Sequence, residues 1–263
     1  MVLALPDGLP PGRTLARGRM RVWVSDEFPE DVERLWSRLL DEQPATGLVP
    51  LLWAGPPGEP LGLEQLDRVD ALCLEDVLAA DFAEYRRRRL PFWTDPTPPP
   101  VPEGIEPWPH DPGPPFGHWP GLAPPMPVTP AGPTPEEASA STLARLIDTR
   151  RFGLDRSRLV LVPAPRGSDA VALLGLDAKA PLPLLCALLR SWEGRYGARV
   201  VGVFGGELHL SVARPPVEAP HTELLALEHV LSTAHNIVDD PPTPFPDYAA
   251  SLTGRTHWSF WWD

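Results

Sequence analysis

Residues 182–215 read LPLLCALLRSWEGRYGARVVGVFGGELHLSVARP. Leu185, Leu189, Trp192 and Tyr196 recur at steps of four, three and four, which lines one side of a helix. Gly197 ends the pattern, because a left-handed residue commonly closes a helix. Val200, Val201, Val203 and Phe204 then form a nearly continuous apolar run, the mark of a strand covered on both faces. Gly205 and Gly206 supply a tight hairpin turn. Leu208, Leu210 and Val212 alternate with Glu207, His209 and Ser211, which predicts a half-solvated strand. A helix laid across such a hairpin predicts an α+β fold with a mixed, largely antiparallel sheet and helices packed on it.

Working outward, 158–164 (RLVLVPA) and 169–175 (DAVALLG) read as two further strands. Thr134-Pro135-Glu136-Glu137 is a start signal for a helix over 136–148. A helix over 222–232 places Leu224, Leu225, Leu227 and Val230 on its apolar side, and 245–252 is a short helix. The closing HWSFWWD alternates: Trp258, Phe260 and Trp262 face one way, His257, Ser259 and Trp261 the other, as in a strand inserted in the sheet.

Toward the start, 1–19 is a turn-rich arm, 21–26 a strand and 30–42 an amphipathic helix. Residues 47–55 are a buried strand, and 61–89 are mainly helical, ending in four arginines that complement the helix dipole. An anion site at Arg86, Arg87, Arg88 and Arg89 is the functional alternative to that solvated helix end. VWVS–helix–GLVPLLWAG also echoes VALLG–helix–ARVVGVFGG in order and length, the pattern of a duplicated unit.

Between 95 and 135, 17 of 41 residues are proline, so neither helix nor inner strand can run through. Trp108, Phe116, Trp119 and Leu122 are spaced through this stretch, and a free tether gains nothing from such side chains. The chain therefore divides into an N-terminal α/β region (1–94), a Pro-rich connector docked on the body (95–135) and a C-terminal α+β domain (136–263).

The 263 residues carry a net charge of −12, which argues against nucleic acid and anionic membrane as partners and favours another protein. Lys179 is the sole lysine among 23 basic residues; with abundant Ala, Gly and Pro this reads as a GC-rich bacterial source. Cys73 and Cys186 lie in apolar helical patterns and make no disulfide framework, as in a reducing cytoplasm. The start lacks a basic region before its short apolar run, so no signal peptide is expected. No stretch approaches the ~20 apolar residues of a membrane span.

Few residues offer chemistry. Glu228, His229, His235, Asp239 and Asp240 fall within EHVLSTAHNIVDD, and imidazole with carboxylate relays protons or binds metals. The two histidines are six apart, which sends them to different sides of one helix, so no metal site is expected. His209 and His257 sit on expected strands that can meet across a sheet. His110 and His118 need only be loop hydrogen-bonders. Trp192, Trp258 and Trp261 are candidates to line a small-ligand pocket, against the commoner role of rings in a core. Ser168 beside Asp169 and the helical Cys186 are poor nucleophiles, and no phosphate loop, nucleophile elbow or paired Cys-x-x-Cys occurs. VGVFGG leads into a strand rather than a helix, so no dinucleotide fingerprint is present and no cofactor is expected.

LLRSWEGRYGARVVGVFGGELHLSVARPP, LALEHV…NIVDD and the terminal WSFWWD resemble the bacterial family called domain of unknown function 4253, familiar from actinobacteria. The likeness spans about 159–263, and TGLVPLL and PFGHWPGLA resemble the N-terminal region of longer members. A Cys-Pro-Asp often follows the Glu-His pair in that family, where this chain has Thr233, Ala234 and His235. The resemblance implies no activity. A non-catalytic interaction or regulatory module, in an immunity-like form among others, is the leading reading. A hydrolase using Glu228, His229, His235 or Asp239, and a ligand sensor with a Trp-lined pocket, are the alternatives.

Overall fold

The computed structural model describes residues 3–55, 60–97, 104, 109–149, 156–176, 179–238 and 243–263. Its strands are β1 (Gly12–Arg17), β2 (Met20–Ser25), β3 (Leu48–Ala54), β4 (Arg158–Pro163), β5 (Ala198–Phe204), β6 (Glu207–Val212) and β7 (His257–Trp261). Its helices are α1 (Val32–Thr46), α2 (Leu63–Asp70), α3 (Leu74–Thr94), α4 (Pro135–Asp148), α5 (Gly167–Leu174), α6 (Leu182–Tyr196), α7 (Ala219–Leu231), α8 (His235–Val238) and α9 (Phe245–Ser251). The strands form one sheet in the order β1-β2-β4-β3-β5-β6-β7. Every neighbouring pair is antiparallel except β3 and β5, so this is a mixed α+β fold.

Strand alternation builds two cores. Leu48, Leu52, Leu159 and Leu161 meet Trp36 and Leu39 of α1 and Leu143 of α4 on one face. Val49, Leu51, Val160 and Val162 point to the other face, where α5, α6 and α7 pack with Leu208, Leu210 and Val212. On the first face Trp36 is fully buried and donates to Ser139 Oγ at 3.1 Å.

The opening stretch forms the expected helix, hairpin turn and two strands. Gly197 stands at φ 62°, where its N–H reaches back to Glu193 O and closes α6. Gly205 donates to Ala54 O at 2.7 Å, which fastens the β5–β6 turn to the end of β3. The helix start at Thr134 is a full capping box with Glu137.

Six readings need correction. Residues 169–175 belong to α5, not to a strand: every position of α5 is buried, and an apolar run covered on all sides carries no period to tell helix from strand. That also removes the echo, since VALLG is helical where VWVS is β2. The arm at 1–19 contributes β1, paired along its length with β2. β6 is not half-solvated, because α4 lies over the Glu207, His209 and Ser211 side, and His209 and Ser211 are both 0% exposed. Cys73 caps the start of α3 in exposed position, because the helix of 61–89 breaks at Ala71. β7 pairs with β6 at one border of the sheet rather than within it.

Residues 109–133 carry neither helix nor strand, yet they pack. Phe116, Trp119, Leu122 and Met126 lie part-buried against the larger core, and Trp119 meets Phe82 with ring centroids 6.4 Å apart. Gly113 (φ 72°) sits so close under the Trp93 ring that a Cβ there falls 2.3 Å from it. Trp108 lies outside the described residues.

Candidate functional site

Glu228 and His229 are consecutive on α7, so their side chains leave the helix about 100° apart. Glu228 turns toward α6 and the Pro-rich segment. It is fully buried and takes bonds from Trp192 Nε1 (2.8 Å), from Ala123 N–H (2.8 Å) and from both terminal nitrogens of Arg195. Arg195 also donates to Ala123 O (2.6 Å) and, through Nε, to Ser191 Oγ (3.0 Å). Trp192 and Arg195 are three apart and so share a helix face, which is why one carboxylate reaches both. A buried charge needs such a partner set, and this one is spent on holding Ala123 in place.

His229 turns into the aromatic core. It is fully buried, with Nδ1 2.9 Å from Tyr248 Oη and its ring edge-on to Trp192 (4.9 Å), Trp258 (4.7 Å) and Phe260 (4.9 Å). Burial first, then the charges of Arg255 and Arg195, hold its pKa well below 6.5, so it is a neutral imidazole at pH 7. Its Nε2 has no hydrogen-bond partner.

His235 does not join this pair. It stands on α8, part-exposed, where Nδ1 accepts the N–H of Asp263 at 2.8 Å. Asp239 and Asp240 lie outside the described residues. Trp192 and Trp258 are buried core rings 5.8 Å apart, whereas Trp261 points to the opposite side of β7 and meets His235 at 5.9 Å. The three rings therefore do not line one hollow. The period of two in β7 separates Trp258 from Trp261.

Other candidates resolve as follows. His209 and His257 do meet across β6 and β7, with Nδ1 and Nε2 3.2 Å apart, while His209 Nε2 lies 3.2 Å from Glu207 Oε2. The two nitrogens of His209 point opposite ways, so the three groups do not converge on one point. Asp169 gives Oδ1 to Arg190 Nε (2.6 Å) and Cys186 Sγ (3.5 Å), while the buried Ser168 Oγ has no partner. Burial pushes the Cys186 thiol up to about 12, against the lowering charge of Arg190, which makes it inert at neutral pH. Arg87 pairs with Glu84 at 2.7 Å along the exposed side of α3. Among the described residues no group of three or more His, Cys, Asp or Glu is placed to hold a metal ion. No described helix is long and apolar enough to cross a membrane.

A cleft of about 340 Å³ opens where the β1–β2 turn faces α2. Arg17, Arg19, Met20, Leu61, Gln65 and Leu173 line it. Arg17 donates to Leu174 O at 2.5 Å, and burial lowers its pKa. The borders of the sheet differ. At β7, the Asn236 side chain donates to Ser259 O (3.0 Å) and accepts from Trp261 N–H (2.7 Å), so an amide stands where a next strand would pair. Neither Asn236 nor Arg195 was singled out from sequence; Arg195 lies three residues after Trp192, and that spacing was its only signal.

The buried assembly of Trp192, Arg195, Glu228 and the terminal aromatic strand falls wholly within one segment. Residues 158–263 match the family model of DUF4253, a domain of unknown function. The matched segment runs from β4 to β7 and supplies every element that grips Ala123. β1, β2 and β3 precede it in the chain but share its sheet. Comparison with curated proteins and with solved structures returned no match.

Proposed function

We propose that this chain is a non-catalytic protein-interaction or regulatory module, acting in the cytoplasm of a GC-rich actinobacterium. A partner-neutralising, immunity-like role is one form of it. The observation that carries the reading is the inequality of the sheet borders. Asn236 blocks β7, whereas β1 turns Gly12, Thr14 and Ala16 to solvent. Proteins commonly blunt such borders, so a border that no described residue pairs with, opposite one that is covered, is a surface suited to strand pairing. The internal use of Glu228 and His229 adds support, since both groups best suited to acid–base work are engaged in holding the fold.

The test is affinity capture from the native host, followed by reconstitution with each purified candidate. A one-to-one complex with a micromolar or tighter dissociation constant is expected. A chain that stays alone through capture and instead turns over a panel of ester and amide substrates overturns the reading. In that case Glu228→Gln and His229→Gln are the substitutions that locate the activity.

A further inference from the structure

Resting on the interaction reading, we infer that the outer border of β1 is a docking site for an extended, acidic segment of a partner protein, which adds to the sheet as a further strand. The backbone geometry is fixed by the turn. Gly18 and Arg19 form a two-residue loop, so Arg17 and Met20 are a hydrogen-bonded pair, and Arg13 with Val24 and Leu15 with Val22 follow in the same set. The bond from Asp26 N–H to Pro11 O at 2.9 Å continues that set. The N–H and C=O groups of Gly12, Thr14 and Ala16 therefore point away from β2, and all three residues are exposed.

Charge selects the occupant. Residues 8–25 hold Arg13, Arg17, Arg19 and Arg21 and no Asp or Glu, a basic island in a chain of net charge −12. Arg13, Arg19 and Arg21 are all exposed, Arg13 with Asp26 at 2.7 Å. A second copy of the chain set antiparallel on this border brings two such islands together, and like charges on facing strands are unfavourable. An acidic strand gains where a second copy loses. Arg13, Leu15 and Arg17 share one side of β1, with Leu15 packed against the core. The occupant's pattern is therefore acidic, any, apolar, any, acidic, with one end of it at the cleft beside Arg17 and Arg19.

The test uses a fluorescein-labelled Glu-Thr-Val-Thr-Glu-Thr peptide, titrated with the full chain and followed by anisotropy. Three controls accompany it: the peptide with Lys for Glu, the acidic peptide N-methylated at alternate amides, and the Thr14→Pro protein. Proline is tolerated at position 14 because that N–H is not in the β1–β2 ladder. The acidic peptide is expected to bind, more weakly as salt rises. Each control is expected to raise the dissociation constant by about tenfold or more. Absence of binding by the acidic peptide, equal binding by the Lys peptide, or unchanged binding by a folded Thr14→Pro chain overturns the proposal. So does a dimer in sedimentation that Thr14→Pro abolishes. Should Thr14→Pro fail to fold, the N-methylated peptide decides alone. A captured partner that still binds Thr14→Pro removes this site while leaving the interaction reading intact.

Discussion

Arg195 and Glu228 hold one residue between them: Glu228 accepts the N–H of Ala123 and Arg195 donates to its carbonyl. The two side chains are also paired with each other and almost wholly buried. Glu228→Ala leaves Arg195 charged and uncompensated, and a loss of ~3–5 kcal/mol is expected in urea unfolding. Replacing both, as Glu228→Leu with Arg195→Met, is expected to cost less than Glu228→Ala alone. A double variant less stable than the single one contradicts this account of the pair.

Acid sensitivity should come from His229. Its pKa is depressed in the folded chain by burial, so below about 6.5 the unfolded chain binds more protons than the native one. Stability then rises with pH through that range and is lost as pH falls below 6.5. The part-buried His221, depressed by burial and by Arg195, acts in the same direction. His229→Phe is expected to flatten the slope of urea midpoint against pH between 4 and 7. It should also lower stability at pH 8 by ~1–3 kcal/mol, because Tyr248 Oη loses its partner.

The two thiols should separate cleanly. Cys73 is exposed and Cys186 is buried with its pKa pushed up to about 12. Iodoacetamide at pH 8 is expected to label Cys73 in the native chain and both cysteines in denaturant. Mass spectrometry of the native sample showing Cys186 alkylated at a comparable rate defeats that expectation.

Asn236→Ala removes the amide from the β7 border. The loss of two hydrogen bonds is expected to cost ~1–3 kcal/mol. It also opens a second row of backbone groups, so concentration-dependent association should appear in sedimentation where the parent chain shows none through this border.

Gly113→Ala tests the docking of the Pro-rich segment. The left-handed backbone alone disfavours Ala by ~1–2 kcal/mol, and the methyl group meets the Trp93 ring at 2.3 Å. A drop in melting temperature with a shift in tryptophan emission is expected; a variant that melts like the parent removes Gly113 from the docking contact.

Much of the fold was legible because alternation and helical spacing report burial directly. The helix closed by Gly197, the hairpin at Gly205 and the start at Thr134 are local statements, settled by a few neighbouring residues. Residues 169–175 were misread because full burial erases the period. His209 and Ser211 looked solvent-facing because no local pattern announces that α4 will cover them. The Glu228 site was legible only by residue type: its partner Ala123 is 105 positions away, and nothing short of the tertiary fold brings them together.

The place of β4 between β2 and β3 has a consequence for synthesis. β2 and β3 are made early, yet neither is the other's neighbour, and the strand that separates them begins only at Arg158. A nascent chain that has emerged through residue 94 holds the β1–β2 hairpin and β3, whose remaining partners β4 and β5 are still to be translated. Its sheet closes only after the ribosome has delivered β4 and β5, so the early apolar strands must be shielded on the way.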